Sequence, residues 1–347
     1  MLKKTFKGTH VSGQNDKKIN MRASLYDKVK RHSKSIFQDF YNDCRFSPKL
    51  AFVRLGVSFS SYLNNTKLYA RYISRREDII CERLRTEVAP IIKKYREVKT
   101  KGECINNSPI WVCWWQGISS APLLVQKCIE SIQGNNSNRP VYIIDQNNYD
   151  EFLDIPDRIL KLVENGNIKL ANLADYIRVA LISKYGGFWI DATVFCSKEV
   201  PEECFSFPFF SCKSKSAVGY IANGKWATYF IGGWKNNLIF SFVKEAFEEY
   251  WKNNKYTIDY FLIDYLIYLA YISIPAAKEM IDNVPVNNQH RFFLRDAMLS
   301  EIAASDFMKY IYEDTYINKL SHKALYGMET ADGKESVYGY FLRQNFM

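Results

Sequence analysis

"KYGGFWIDATVF", Lys184 to Phe195, decides how this chain is read. Two glycines lead into a short apolar run, which stops on one carboxylate, Asp191, followed by Ala192 and Thr193. Phe188, Trp189 and Ile190 favour extended backbone and predict a buried strand over "FWID". Just upstream, "LANLADYIRVALISKYGG" (170–187) places Ile177, Ala180 and Leu181 at helical spacing, and Gly186 is the residue type that ends helices. A helix therefore feeds directly into a strand whose exit carries a lone acid.

Further upstream the same alternation repeats. "IWVCWW" (110–115) reads as a buried strand, and Pro122 opens a helix that runs to about Ile132. "RPVYIID" (139–145) is a second strand ending on Asp145, followed by a helix in "IPDRILKLVENG" (155–166) that Gly166 closes. Strand, helix, strand, helix, helix, strand is the order of an α/β sheet with crossover connections. Ligands in such sheets lie beyond the carboxyl ends of the strands, the edge that holds Asp145 and Asp191. Neither a GxGxxG nor a GxxxxGK[ST] pattern occurs, which removes the usual dinucleotide and P-loop sites.

The front of the chain has a different character. From Met21 to Lys99 there is almost no glycine, apolar residues such as Ile80, Leu84, Val88 and Ile91 recur at helical spacing, and Pro90 breaks the pattern. "KTKGECINNSP" (100–109) reads as a linker. The expected organisation is a basic, mainly helical region over 1–100, its first 20 or so residues flexible, and an α/β domain over 108–347. Residues 1–100 carry 23 Lys and Arg against 9 Asp and Glu, a net +14, whereas the remainder is −4. Such a front suits an anionic partner such as phospholipid or a lipid pyrophosphate; solvated helix faces are the plainer reading. Nucleic acid is not expected, because no recognisable module is present and the aromatic residues are not interleaved with Lys and Arg.

The eight cysteines form no CxxC pair and the four histidines are scattered, which speaks against a disulfide framework or a Cys/His metal cluster and for reduced thiols in the cytoplasm. No apolar segment follows "MLKKTFKGTH" as in a secretory signal. The run "YFLIDYLIYLAYISI" from Tyr260 contains Asp264 and is shorter than the ~20 residues a membrane span needs, so a buried helix is expected.

Asp191 at a strand exit suits a hard divalent cation that bridges substrate phosphates, or else it caps a turn with its own backbone. Asp175 and Arg178 are three apart and share a helical face; they are an ordinary surface pair unless the fold brings them to Asp191. An Asp accepts sugar hydroxyls, and an Arg pairs with phosphate or orients that Asp.

In this order the residues resemble a known family. "IWVCWWQG…AP" followed by "LADYIRVALISKYGGFWIDATVF" resembles the capsular polysaccharide synthesis proteins, relatives of glycosyltransferase family 32, whose pattern is an aromatic first strand, a "[SA]D-x-x-R" helix and "GG-x-[YW]-[LI]-D" leading into a DXD metal motif. The resemblance is clear over 110–199, with weaker echoes in "IDYFLIDYL" (258–266) and "INKLSHK" (317–323). It implies a GT-A-like nucleotide-sugar-binding sheet with helices on both faces, preceded by a helical N-terminal region. The implied activity is retaining transfer of a hexose from a nucleotide-diphosphate donor, with uridine as the expected base. The implied acceptor is a lipid-linked oligosaccharide of undecaprenyl-pyrophosphate type, and the implied place is the cytoplasmic face of the plasma membrane.

Carried onto this sequence, the resemblance gives Trp114 the nucleotide base, Asp175 the sugar hydroxyls, Arg178 the sugar or diphosphate, and Trp189 a wall of the donor pocket. Lys319 and Lys323 would neutralise the diphosphate, unless they form a solvated turn. Asp191 would be the first acid of the metal motif. Thr193 stands where the second acid belongs and Asn318 where a His is common, so Asp191, Thr193 and Asn318 are the expected ligands of Mn2+ or Mg2+. Asp259 is the preferred acceptor-positioning residue, with a helix cap as its plainer role; Asp264, five residues on, would point elsewhere on a helix. An inactive nucleotide-diphosphate-binding relative is the alternative, if Thr193 abolished catalysis.

Overall fold

The computed structural model describes residues 40–346 except 42, 64, 217–219 and 303–306. The expected flexible start and the first part of the helical stretch from Met21 lie outside the described residues. Contacts divide the chain into two compact units, residues 1–80 and 81–347.

In the first unit, helix α1 (Pro48–Tyr62) begins with a proline at its first turn, where a missing N–H costs nothing. Asp43 and Arg54 form an ion pair, and Phe40 meets Phe52 edge to face with centroids 5.4 Å apart. Helix α2 (Thr66–Glu87) starts in this unit, and its range spans the division. A Cβ on Gly56 would come within 2.4 Å of the Tyr72 ring, so glycine is what lets that ring approach. Phe52, Phe59 and Tyr62 remain 65, 60 and 83% exposed.

The second unit opens as the proline predicts: α2 stops at Glu87 and α3 (Ala89–Tyr95) restarts with Pro90 in its first turn. Strand β1 (Ile110–Cys113), α4 (Leu123–Asn135), β2 (Val141–Ile144), α5 (Tyr149–Phe152), α6 (Asp157–Glu164), α7 (Leu170–Tyr185) and β3 (Gly187–Ile190) then follow in the expected order. β2 and β3 lie on either side of β1 and both run parallel to it, with Cys113 opposite Ile144 and Trp111 opposite Trp189. That register puts Trp114, Asp145 and Asp191, the residues just past each strand, along one edge of the sheet.

Beyond Asp191 come β4 (Val194–Cys196), α8 (Glu202–Phe205), β5 (Phe209–Ser211), β6 (Phe230–Gly233), α9 (Leu238–Asn253), α10 (Leu262–Ser273), α11 (Pro275–Asp282), α12 (Phe293–Ala297), β7 (Ile317–Lys319) and α13 (Val337–Arg343). The main sheet has the order β2-β1-β3-β6-β5, with β6 antiparallel to both β3 and β5. β4 and β7 make a separate antiparallel pair. This mixed α/β architecture agrees with the GT-A-like arrangement expected of the sequence.

The glycine pair has a specific cause. Gly186 and Gly187 have φ of 74° and 93°, in the region that costs other residues strain. A Cβ on Gly187 would stand 2.0 Å from the Pro109 carbonyl oxygen, the same oxygen that accepts from the Phe188 N–H at 2.9 Å. The pair therefore turns the end of α7 sharply enough for β3 to join β1. Trp111 and Trp189, 1% exposed, sit in the core with Phe188, Phe209 and Phe230, while α9 packs against α7 and α10. The apolar run from Tyr260 contains α10, which is buried over 262–267 and at Leu269 and Ala270; among the described residues no helix is long and apolar enough to cross a membrane.

Candidate functional site

Asp191 leaves the sheet with its backbone held: its N–H donates to the Tyr229 carbonyl at 2.9 Å, and its own carbonyl accepts from Val194 at 2.8 Å. That turn starts β4, which pairs with β7 so that Val194 lies opposite Lys319. Lys319 is anchored in turn, its N–H donating to the Arg291 carbonyl at 2.7 Å, while Leu320 donates to the Thr193 carbonyl at 2.9 Å. The two-stranded ladder thus carries a lysine from late in the chain back to the acid at the sheet edge.

The side chains form one connected cluster. Asp191 Oδ1 accepts from Arg178 Nη2 at 3.0 Å and from Trp189 Nε1 at 2.8 Å, and Oδ2 accepts from Lys319 Nζ at 2.8 Å. Lys319 Nζ also donates to Thr193 Oγ1 at 2.6 Å and lies 5.0 Å from the centre of the Tyr229 ring. Arg178 Nη1 donates to Asp175 Oδ1 at 2.8 Å, and its guanidinium rests 4.9 Å over the Trp189 ring. Helix α7 thus brings Asp175 and Arg178 to Asp191, so the pair is no ordinary surface contact: the Arg178 side chain is only 6% exposed.

Charges in this cluster are unequal. At Asp191 burial opposes ionisation, but the Lys319 and Arg178 charges and the hydrogen bonds from Lys319 and Trp189 outweigh it and hold the carboxyl at about 2. Burial pushes Asp175 up to about 7 despite Arg178, with Asp264 and Asp191 adding to the rise. Asp264, a buried acid of α10, is pushed to about 6 by burial, against the pull of the Trp226 indole N–H that donates to it at 2.9 Å and of the Arg178 charge. Counting along one helix favours Asp259 over Asp264, but α10 begins only at Leu262, so that spacing does not apply. Asp259 sits before the helix, and its Oδ1 accepts from the Phe261 N–H at 3.0 Å, as in a turn. An acid inside an otherwise apolar helix is the sequence signal for Asp264. Tyr260, 60% exposed, lies near the same carboxylates: burial and the charges of Asp175 and Asp191 raise its phenol.

Trp114 stands at the same edge, its N–H donating to Ile144 O at 3.0 Å. Its ring meets His322 edge to face at 5.5 Å. Burial and the nearby Lys323 and Lys319 charges lower the His322 imidazole, and Lys323 is exposed. Two buried donors here, Trp114 Nε1 and Arg178 Nε, have no partner among the described residues. Trp111, by contrast, donates to the Gly186 carbonyl at 3.0 Å and stacks on Tyr142 in the core.

Asn318 does not join the cluster. It precedes Lys319 on β7, successive strand residues face opposite ways, and its buried amide donates to Ser197 Oγ at 3.2 Å. The remaining expected metal ligands are also engaged, since both Asp191 oxygens and the Thr193 hydroxyl already bond to Arg178, Trp189 or Lys319. An ammonium stands where a divalent ion would have to bind, so the arrangement does not fit one. Among the described residues no group of three or more His, Cys, Asp or Glu is placed to hold a metal ion.

A search of curated proteins finds no match to this chain. The family model described as "Capsular polysaccharide synthesis protein" matches residues 61–341, which include α7, β3, Asp191 and Lys319. The sheet, the helix-borne Asp–Arg pair and the strand-end acid therefore lie inside the matched region, and the chain belongs to the capsular polysaccharide synthesis protein family.

Proposed function

We propose that the protein is a retaining glycosyltransferase that moves a hexose from a nucleotide diphosphate, uridine being the expected base, to a lipid-linked oligosaccharide in capsule synthesis. The observation that carries this reading is the connected chain Asp175–Arg178–Asp191–Lys319 at the exit edge of three parallel strands. Two fixed cations there face the task of stabilising a leaving diphosphate, and one carboxylate holds both in place. Trp114 Nε1 and Arg178 Nε remain as buried donors for oxygen acceptors of a ligand.

In this mechanism the bond from the anomeric carbon to the diphosphate oxygen breaks, and its electron pair leaves with the diphosphate beside Arg178 and Lys319. The sugar gains oxocarbenium character, as in glycoside hydrolysis. The acceptor hydroxyl oxygen bonds the anomeric carbon on the same face and gives its proton to the departing diphosphate oxygen. Asp175, with Oδ1 tied to Arg178, orients sugar hydroxyls. Trp114 stacks on the base, and Lys323 adds charge at the mouth. Asp259 is the preferred residue to position the acceptor, and Asp264 is the second candidate.

The acceptor being lipid-linked, the protein works at the cytoplasmic face of the plasma membrane. Support comes from the basic first hundred residues and from α1, where exposed Phe52, Phe59 and Tyr62 recur at helical spacing. Exposed aromatic side chains at helical spacing suit the headgroup region of a membrane, and the net charge of the first hundred residues suits anionic lipid.

Screening nucleotide sugars for slow donor hydrolysis tests the reading. Hydrolysis of one donor class, faster with a lipid-linked acceptor, is the expected result. Tight nucleotide-diphosphate binding with no turnover of any donor would instead identify an inactive binding relative.

A further inference from the structure

We propose that Lys319 takes the place of a divalent cation, so that the diphosphate of the donor is bound and stabilised without metal. This rests on the glycosyltransferase reading above and specifies how its leaving group is held. A metal in such a site bridges protein oxygens on one side and phosphate oxygens on the other. Lys319 Nζ already occupies the protein half of that bridge, 2.8 Å from Asp191 Oδ2 and 2.6 Å from Thr193 Oγ1. An ammonium has three donors. Two are directed at these oxygens, which leaves one for a phosphate oxygen.

The neighbouring residues fit an ammonium better than a dication. Thr193 supplies a neutral oxygen where a second acid would be needed to balance a 2+ ion; one carboxylate and one hydroxyl match a single positive charge. Arg178 approaches the other oxygen of the same carboxylate at 3.0 Å. A divalent ion inserted at Asp191 would therefore meet two fixed cations within a few ångströms and be repelled by both. The backbone is arranged to hold the lysine: the β4–β7 register sets it opposite Val194, and bonds from Lys319 N to Arg291 O and from Leu320 N to Thr193 O lock both flanks. Such a preset charge needs no reorganisation as the leaving group develops.

Calorimetric titration of uridine and guanosine diphosphates into the native protein, first in EDTA and then with excess Mn2+, tests this directly. The same affinity, within about 2-fold, is expected in both conditions. Lys319→Met, checked by melting for a native fold, is expected to weaken binding roughly 10-fold or more in either condition, as loss of a charge-assisted contact does. Binding that appears only with Mn2+, or native affinity in a folded Lys319→Met, overturns the inference while leaving the donor site intact. Absence of binding in both conditions overturns the donor reading and this inference together. If Lys319→Met does not fold, the comparison of EDTA with Mn2+ on the native protein decides alone.

Discussion

Lys319 reaches back across the chain to place its ammonium 2.8 Å from Asp191 Oδ2, while Arg178 holds the opposite oxygen of the same carboxylate at 3.0 Å. One acid is thus the hinge between a helix-borne guanidinium and a strand-borne ammonium. The charge that burial would suppress on Asp191 is kept by these two neighbours, and in return the acid fixes where both point. This mutual dependence links the fold to the proposed chemistry, because β3 brings the acid to Arg178 and the β4–β7 pair brings Lys319 to the acid.

Trp114 is assigned the nucleotide base, and its indole N–H is buried without a partner among the described residues. Trp114→Ala is expected to reduce nucleoside-diphosphate affinity about 10-fold or more, the scale of one lost base stack at ~1–3 kcal/mol. Trp114→Phe keeps a ring and removes the unpaired donor, so its melting temperature should equal or exceed that of the native protein. Isothermal titration and thermal melting of both variants check this.

Gly187 is expected to tolerate no side chain. Its φ is 93°, and a Cβ there would stand 2.0 Å from the Pro109 oxygen. Gly187→Ala should therefore destabilise by ~3 kcal/mol or more through backbone strain and overlap together. Urea unfolding followed by far-UV circular dichroism measures it. A loss under ~1 kcal/mol would show that β3 enters the sheet some other way.

Asp175 and Asp264 bear on pH dependence. Their carboxyls are pushed up to about 7 and about 6, so the native protein keeps protons that the unfolded chain, with carboxyls near ~4, has released. Their contribution to stability is fully present below about pH 4 and declines as pH rises through 6 to 7. Asp191 acts in the opposite sense: held at about 2, it stabilises above about pH 4, and that contribution is lost as pH falls towards 2. Melting temperatures from pH 4 to 8 should fall less steeply with pH in Asp175→Asn/Asp264→Asn than in the native protein; equal slopes would contradict the assignment.

Phe52, Phe59 and Tyr62 carry the proposed contact with lipid. Changing all three to Ser should reduce sedimentation with anionic vesicles several-fold and leave donor hydrolysis in solution unchanged. Added salt should weaken vesicle binding by the native protein as well, since the basic residues share the contact. Unaltered sedimentation of the triple variant would remove α1 from the membrane face.

The α/β order and half of the cluster are legible in the sequence because they are local. Asp175 and Arg178 sit three apart on one helix, Trp189 and Asp191 end one strand, and the Gly pair marks the turn between them. What depends on distant pairing is not legible. β7 joins β4 across more than a hundred residues, so nothing near Lys319 announces that its ammonium bonds Asp191 and Thr193. The same distant strand explains Asn318, which resemblance places among metal ligands but strand alternation turns to Ser197. Asp264 loses to Asp259 only on a helical spacing that begins too early, since the chain turns at Asp259 before α10 starts. β5 and β6, rich in Phe and Gly, give no alternating pattern to read, yet the antiparallel pairing of β6 with β3 brings up the Tyr229 carbonyl that holds the Asp191 backbone.

The most direct measurement is the rate at which Asp191→Asn hydrolyses the donor that the native protein accepts. The substitution keeps the shape and one acceptor oxygen but removes the negative charge that Arg178 and Lys319 share. A fall of about 100-fold or more is expected, the scale seen when one preorganised electrostatic contact is lost, with melting showing that the variant is folded. A folded Asp191→Asn that turns over donor at the native rate would contradict the account.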